Sequence, residues 1–301
     1  VLCEIGVECF VQQYVDTRPG PLAQDYLCGG LAYDRHDGTD IRVPTLADME
    51  RGVPVVAAAP GTVRAVRDGE PDMDPARRGL DRIKGRESGN AVLIDHLGGW
   101  TTQYSHLKQG SVLVRPGQRV GAGQILGLIG QSGLAEFPHV EFRLFHGDQR
   151  IDPFTGLPPE SGCDKPGRAL WDAEAAQALV YRAGGLLAAG FAGSNPEIGA
   201  IKAGAYLGND RLPASAAALA FWVIDYGLEP GDSWRLEIHG PDGRLFAESD
   251  GKLDRKQADW IRVLGRRRGD RPWPSGRYEA RHRVARNGVV LIDRARAVVV
   301  E

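Results

Sequence analysis

The sequence predicts an all-β chain, mainly antiparallel, and three observations carry that prediction. Its 301 residues include 40 Gly and 19 Pro, which together with short apolar runs imply many turns and short strands. Those runs alternate apolar and polar residues, the period of a half-buried strand. Hairpin signals such as "PDG" (241–243) and "RNG" (286–288) punctuate them. Only "LADMERG" (46–52) and "WDAEAAQALVYRAGG" (171–185) read as helical. The length allows two domains, each able to bury its own core.

Taken in order, residues 1–30 read as an irregular segment with three cysteines, dense in turn formers at "DTRPGPLAQDYLCGG". Residues 31–154 form the first β-domain. Its expected strands are "VPVVAAA", "GTVRAVRDG", "NAVLIDH", "WTTQYSHL", "HVEFRLF" and "RIDPF". The polar, breaker-rich "GEPDMDPARRGLDRIKGRESG" (69–89) interrupts them as a long loop. In "SVLVRPGQRVGAGQILGLIGQSG" closely spaced glycines between β-branched residues imply tight turns and short strands. A Pro-, Gly- and Ala-rich linker, 155–190, contains Cys163. Beyond it, 191–301 alternates strongly enough for about seven strands, the pattern of an immunoglobulin- or fibronectin-like β-sandwich.

Composition bounds the function. Hydrophobic residues make up 42% and charged residues 25%, and the formal net charge is −2. Nothing in that balance argues for nucleic acid as a partner. No apolar run approaches the roughly 20 residues of a membrane span. The chain starts at Val1 without a Met, as a chain freed of a secretory leader, or one otherwise trimmed, would. Cys3, Cys9, Cys28 and Cys163 contain no C-x-x-C pair. Two disulfides in an oxidising compartment are therefore expected, against four buried thiols, and three pairings stay open. The implied location is periplasmic or secreted.

Five of the seven histidines precede residue 150. "RHDGTD" sets His36 and Asp40 four apart across a Gly-containing turn that can bring imidazole and carboxylate to one point. "QYSHL" puts His106 near a strand end. In "FPHVEFRL", His139 and Glu141 share a strand face. Zinc accepts nitrogen and oxygen ligands, and a catalytic site keeps one position for water. His36, Asp40 and Glu141 can supply three ligands, leaving His106 and His139 for proton transfer. His96 and His146 read as structural and solvated, respectively, and His239 and His282 as surface or strand-pairing residues.

In this order, "HDGTD", "VVAAAPGTV", "GNAVLIDH", "WTTQYSHL", "VRPGQRVGAGQILGLIGQSG" and "FPHVEFRL" resemble the lysostaphin-type, or LytM-domain, zinc metallopeptidases, over about residues 30–154. The resemblance implies zinc as cofactor and the peptide cross-links of bacterial peptidoglycan as substrate. It implies His36 and Asp40 as zinc ligands and His106 and His139 as catalytic residues. The family's third ligand is the second His of H-x-H, and here that position is Glu141. A carboxylate binds zinc, but it leaves the site formally neutral where the family pattern carries one positive charge. A less positive site polarises a peptide carbonyl less. Arg143, two residues on and on the same face, competes for Glu141. Two readings of different class follow: a zinc endopeptidase, or a catalytically silent relative that binds wall or regulates another hydrolase. Tyr33 and Tyr104 adjoin the motifs and are expected to pack at strand ends rather than serve an oxyanion. The basic "GRRRGDRPW" (265–273) offers the second domain a contact patch for a wall polymer or protein partner, or a solvated turn beside a packed Trp.

Overall fold

The computed structural model describes residues 1–18 and 20–301; Pro19, in the expected irregular segment, lies outside them. The chain is mostly β with antiparallel sheets and divides into two units, Val1–Tyr181 and Arg182–Glu301.

The first unit holds strands β1 (Phe10–Gln13), β2 (Thr39–Arg42), β3 (Pro54–Val56), β4 (Gly61–Arg67), β5 (Asn90–Asp95), β6 (Trp100–Leu107), β7 (Arg119–Val120), β8 (Ile125–Leu128), β9 (His139–His146) and β10 (Gln149–Ile151). The main sheet runs β1-β2-β9-β6-β5-β4-β7, with β10 also paired to β9, while β3 and β8 form a separate ribbon. β9 therefore lies between β2 and β6. Its alternation sends Val140, Phe142 and Leu144 into the core, so His139, Glu141 and Arg143 face the other way. The register sets Glu141 opposite Asp40 on β2 and opposite Ser105 on β6, and His139 opposite Arg42. Two residues distant in sequence thus become neighbours through ladder pairing alone.

Local chemistry explains the short helices. Thr45 caps Leu46–Arg51 in a capping box: its hydroxyl accepts from the Asp48 backbone, and the Asp48 side chain accepts from the Thr45 backbone. Gly52, at φ +83, ends that helix. The expected loop 69–89 contains two single turns, Pro75–Arg78 and Leu80–Ile83. Asp74 caps the first and Ile83 is buried. Glu70 pins the segment through Arg78 and Arg86.

Both ends of the unit are more ordered than their composition suggests. The expected irregular segment contributes β1, an edge strand buried on both faces. The expected 171–185 helix is only Ala173–Ala178, capped by Asp172. The helix ends at Leu179, before the paired glycines at 184 and 185, where β11 (Gly185–Ala192) begins. Two disulfides are present, Cys3–Cys9 and Cys28–Cys163. A cavity of ≈ 980 Å³ opens on the core side of the main sheet, lined by Ile41, Tyr104, Val140, Phe142 and Trp171 among others.

The second unit pairs β11, β13 (Ala218–Leu228) and β16 (Gln257–Arg267) in one sheet. β12 (Arg211–Leu212), β14 (Ser233–His239), β15 (Leu245–Lys252), β17 (Gly276–Arg286) and β18 (Val289–Val300) form the other. Phe221, Val223, Leu236, Ile238, Trp260, Tyr278 and Val284, drawn from both sheets, share one core. Asn287 and Gly288, at φ +50 and +81, make the expected "RNG" hairpin between β17 and β18. His282 departs from expectation. It is fully buried, with Nε2 2.7 Å from Asp225 Oδ2. Alternation along β17 turns His282 inward with Tyr278, Ala280 and Val284, and the opposite sheet supplies its carboxylate partner.

Candidate metal centre

His36, Asp40 and Glu141, the three expected ligands, lie together: one donor atom from each lies within 4.8 Å of the other two. His36 Nε2 stands 3.1 Å from Asp40 Oδ1 and 3.7 Å from Glu141 Oε1. His106 and His139 join the same cluster, with Nε2 atoms 3.5 Å from Glu141 Oε2 and 3.7 Å from Asp40 Oδ1 respectively. Their ring centroids are 4.6 Å apart. All five side chains are buried.

The backbone fixes how the three imidazoles point. Nδ1 of His36 faces the Tyr14 carbonyl at 2.7 Å, that of His106 the Ser132 carbonyl at 2.8 Å, and that of His139 the Phe137 carbonyl at 2.8 Å. A carbonyl only accepts, so each Nδ1 carries a proton and donates it. Every Nε2 is thereby turned toward the two carboxylates. Such outer hydrogen bonds fix tautomer and ring orientation in metal-ligating histidines.

His106 reaches the cluster by an irregularity. Along β6 the odd positions 101, 103 and 105 share the Glu141 face, since Ser105 sits opposite Glu141. His106 should then follow Tyr104 toward the core. Its φ of +62 and the register shift between β5 and β6 turn it back. Tyr104 itself is buried on the core side, where its hydroxyl accepts the Ala58 N–H at 2.7 Å. It packs, as expected, and lies outside the cluster. Tyr33 stays at the rim, its ring 4.4 Å from that of His36.

Electrostatics favour a cation here. Burial alone would discharge His36, but Asp40 and Glu141 outweigh it and raise its pKa to about 9. Burial dominates at His139 and lowers its pKa to about 4. Burial also opposes charge on Glu141, yet His106, Arg143 and His36 hold its carboxyl well below the usual carboxylate range. One nitrogen and two carboxylate oxygens around a point that already stabilises positive charge form a donor set that suits zinc. Close packing supports the arrangement: a Cβ on Gly38 would lie 2.6 Å from Glu141 Cγ.

Arg143 binds Glu141 without removing it from the cluster. Arg143 Nη2 lies 2.7 Å from Oε2, while Oε1 faces His36. The two oxygens of this carboxylate thus face different partners, Arg143 and His36. Asp37, unremarked in the sequence, continues the array: its Oδ1 is 2.9 Å from Arg143 Nε and its Oδ2 2.5 Å from Arg150 Nη2. The available signal was its place directly after His36. His96 holds a structural contact, its Nδ1 2.8 Å from the Pro60 carbonyl, while His146 is exposed, its ring 4.6 Å from that of Trp100. The ≈ 980 Å³ cavity shares no lining residue with the cluster.

Residues 34–153 match peptidase family M23. This segment is similar to the M23 peptidases. Relatives of the M23 segment include cell division protein DipM of Caulobacter vibrioides, 29% identical over 130 residues, an alignment covering 41% of this chain and 18% of DipM. Peptidoglycan DD-endopeptidase ShyA of Vibrio cholerae is 31% identical over 109 residues, covering 36% of this chain and 20% of ShyA. The chain therefore spans about a fifth of the length of these two relatives. Among solved structures, a mutant catalytic domain of the prophage-encoded M23 protein EnpA from Enterococcus faecalis is 28% identical. That alignment covers 47% of this chain and 90% of EnpA's, with a TM-score of 0.31. The M23 match encloses all five clustered residues.

Proposed function

We propose that the M23 segment is a zinc-dependent endopeptidase that hydrolyses peptide cross-links of bacterial peptidoglycan outside the cytoplasm. One observation carries the reading: three imidazoles, each with Nδ1–H bound to a backbone carbonyl, turn Nε2 toward two carboxylates in one buried cluster. His36 Nε2, Asp40 Oδ1 and Glu141 Oε1 would hold the zinc. When bound, zinc supplies Lewis-acid polarisation of the scissile carbonyl and the attacking water. His139 Nε2, kept neutral by burial, is suited to accept a proton from that water. His106 Nε2, beside it, is suited to stabilise the oxyanion or hand a proton to the leaving amine. The two disulfides support an oxidising compartment. Among the described residues no helix is long and apolar enough to cross a membrane.

The Arg143–Glu141 pair favours a second reading, a silent domain that binds wall peptide or regulates another hydrolase. Purification without chelator, metal analysis and digestion of purified sacculi separate the two. About one zinc per chain with release of cross-link fragments supports the peptidase. A chain that takes up no zinc and releases no fragments supports the silent domain.

A further inference from the structure

We infer that Arg143 is a positioning residue for the metal: it grips Oε2 of Glu141 so that Oε1 is presented to the ion. The inference rests on the zinc reading above and concerns what makes a glutamate workable where the family pattern has histidine. An imidazole on a strand offers one lone pair in a fixed direction. A carboxylate is a longer, freer group with two equivalent oxygens, and it brings an extra negative charge. Both differences are answered by Arg143. Its Nη2 makes an ion-pair contact of 2.7 Å with Oε2, the oxygen that also stands 3.5 Å from His106 Nε2, and Oε1 lies 3.7 Å from His36 Nε2. Its guanidinium returns the positive charge that glutamate removes.

Arg143 is itself held. Nε meets Asp37 Oδ1 at 2.9 Å, and Asp37 Oδ2 meets Arg150 Nη2 at 2.5 Å. Asp37 directly follows His36, so the turn that supplies the first ligand also anchors the arm that aims the third. Side-chain exposure rises outward from 4% at Glu141 to 21% at Arg143 and Asp37 and 36% at Arg150. The array therefore leads from a dry ligand to a wet surface, with opposite charges in alternation. A planar guanidinium fork contacting two carboxylates at once is geometry that lysine cannot reproduce.

The test is zinc affinity of the full chain, by competition with a chromophoric chelator, with circular dichroism and thermal unfolding as controls for folding. R143Q is expected to bind zinc about 10–100-fold more weakly than wild type, the usual loss when an outer partner of a ligand is removed. R143K, which keeps the charge but not the fork, is expected between them. In an E141H background, the R143Q change should alter affinity by no more than about twofold, because the imidazole needs no such partner. R143Q binding zinc as tightly as wild type, or more tightly, overturns the inference and makes Arg143 a bystander or a competitor. Equal weakening in both backgrounds overturns it too, by showing a general structural effect. If R143Q fails to fold, R143K in the two backgrounds decides by the same comparison. A wild-type chain that binds no zinc overturns the zinc reading itself, and this inference with it.

Discussion

His106 occupies a backbone conformation that L-residues avoid, at φ +62. Such a residue costs about 1–3 kcal/mol and persists where surroundings hold it. Here the backbone N–H donates to Ser88 O at 2.9 Å and the ring to Ser132 O at 2.8 Å. His106→Gly relieves the strain and loses the ring's hydrogen bond, effects of similar size. The melting temperature should stay within about 4 °C of wild type, while cleavage of sacculi is lost. Retained cleavage would take His106 out of the chemistry. Gly38→Ala acts on the opposite side, because its Cβ would need to sit 2.6 Å from Glu141 Cγ and 3.0 Å from the Phe142 carbonyl. A loss of about 1–3 kcal/mol in chemical denaturation is expected, together with weaker zinc retention. The five clustered residues were legible because each sits in a short motif. Asp37 and Arg150 were not, since a charged residue in a turn looks solvated until its partner from another strand is known.

Asn90, at the start of β5, ties together the elements that hold His106. Its Nδ2 donates to Glu70 O at 2.8 Å and Leu107 O at 3.0 Å, and its Oδ1 accepts the Glu70 N–H at 2.7 Å. Its own N–H donates to Ser132 Oγ at 2.8 Å. The 69–89 segment, the end of β6 and the stretch around Ser132 thus meet at one buried amide. Asn90→Ala would take this partner from the Glu70 N–H and C=O, while Leu107 O keeps its bond from Ser132 Oγ at 2.7 Å; the cost is about 1–3 kcal/mol for each group that water fails to reach. A loss of about 2–4 kcal/mol in urea unfolding is expected, with turnover reduced even where the fold survives. β1 fell in the segment expected to be irregular and β2 outside the expected strands, whereas most other strands of both units were readable from alternation and turn residues. β11 was not: "GLLAAGFA" lacks alternation, and only its pairing with β13 makes it a strand.

Across the first unit, stability depends on long-range closures. Cys28–Cys163 joins residues 135 apart, against 6 for Cys3–Cys9. In the chain-entropy account the longer closure stabilises about twice as much, so C28S/C163S should cost about 5 kcal/mol and C3S/C9S about 2. Guanidinium titrations of the two double variants measure the difference. Asp152 sets a pH dependence. It is buried, with Oδ2 unpartnered, and burial together with Asp25 raises its pKa to about 6 from an ordinary 3.8. The folded state therefore favours the protonated form. That contribution is complete below about pH 4 and is lost as pH rises through about 6, for a total near 3 kcal/mol. Asp152→Asn should flatten the melting temperature between pH 5 and 7.5, roughly the span in which the wild-type group ionises; an unchanged slope would exclude Asp152 as its source.

By itself the sequence determined the β class, the two-disulfide expectation and the motif residues, because strand period, turn chemistry and ligand type are local properties written in neighbouring positions. The tertiary structure decided which oxygen of Glu141 faces His36, how His106 is turned out of its strand's alternation, and that His282 is a core residue. Each depends on ladder register and on a partner far along the chain, such as Asp40 against Glu141 or Asp225 against His282. Local pattern carries no record of such pairings until the sheet closes.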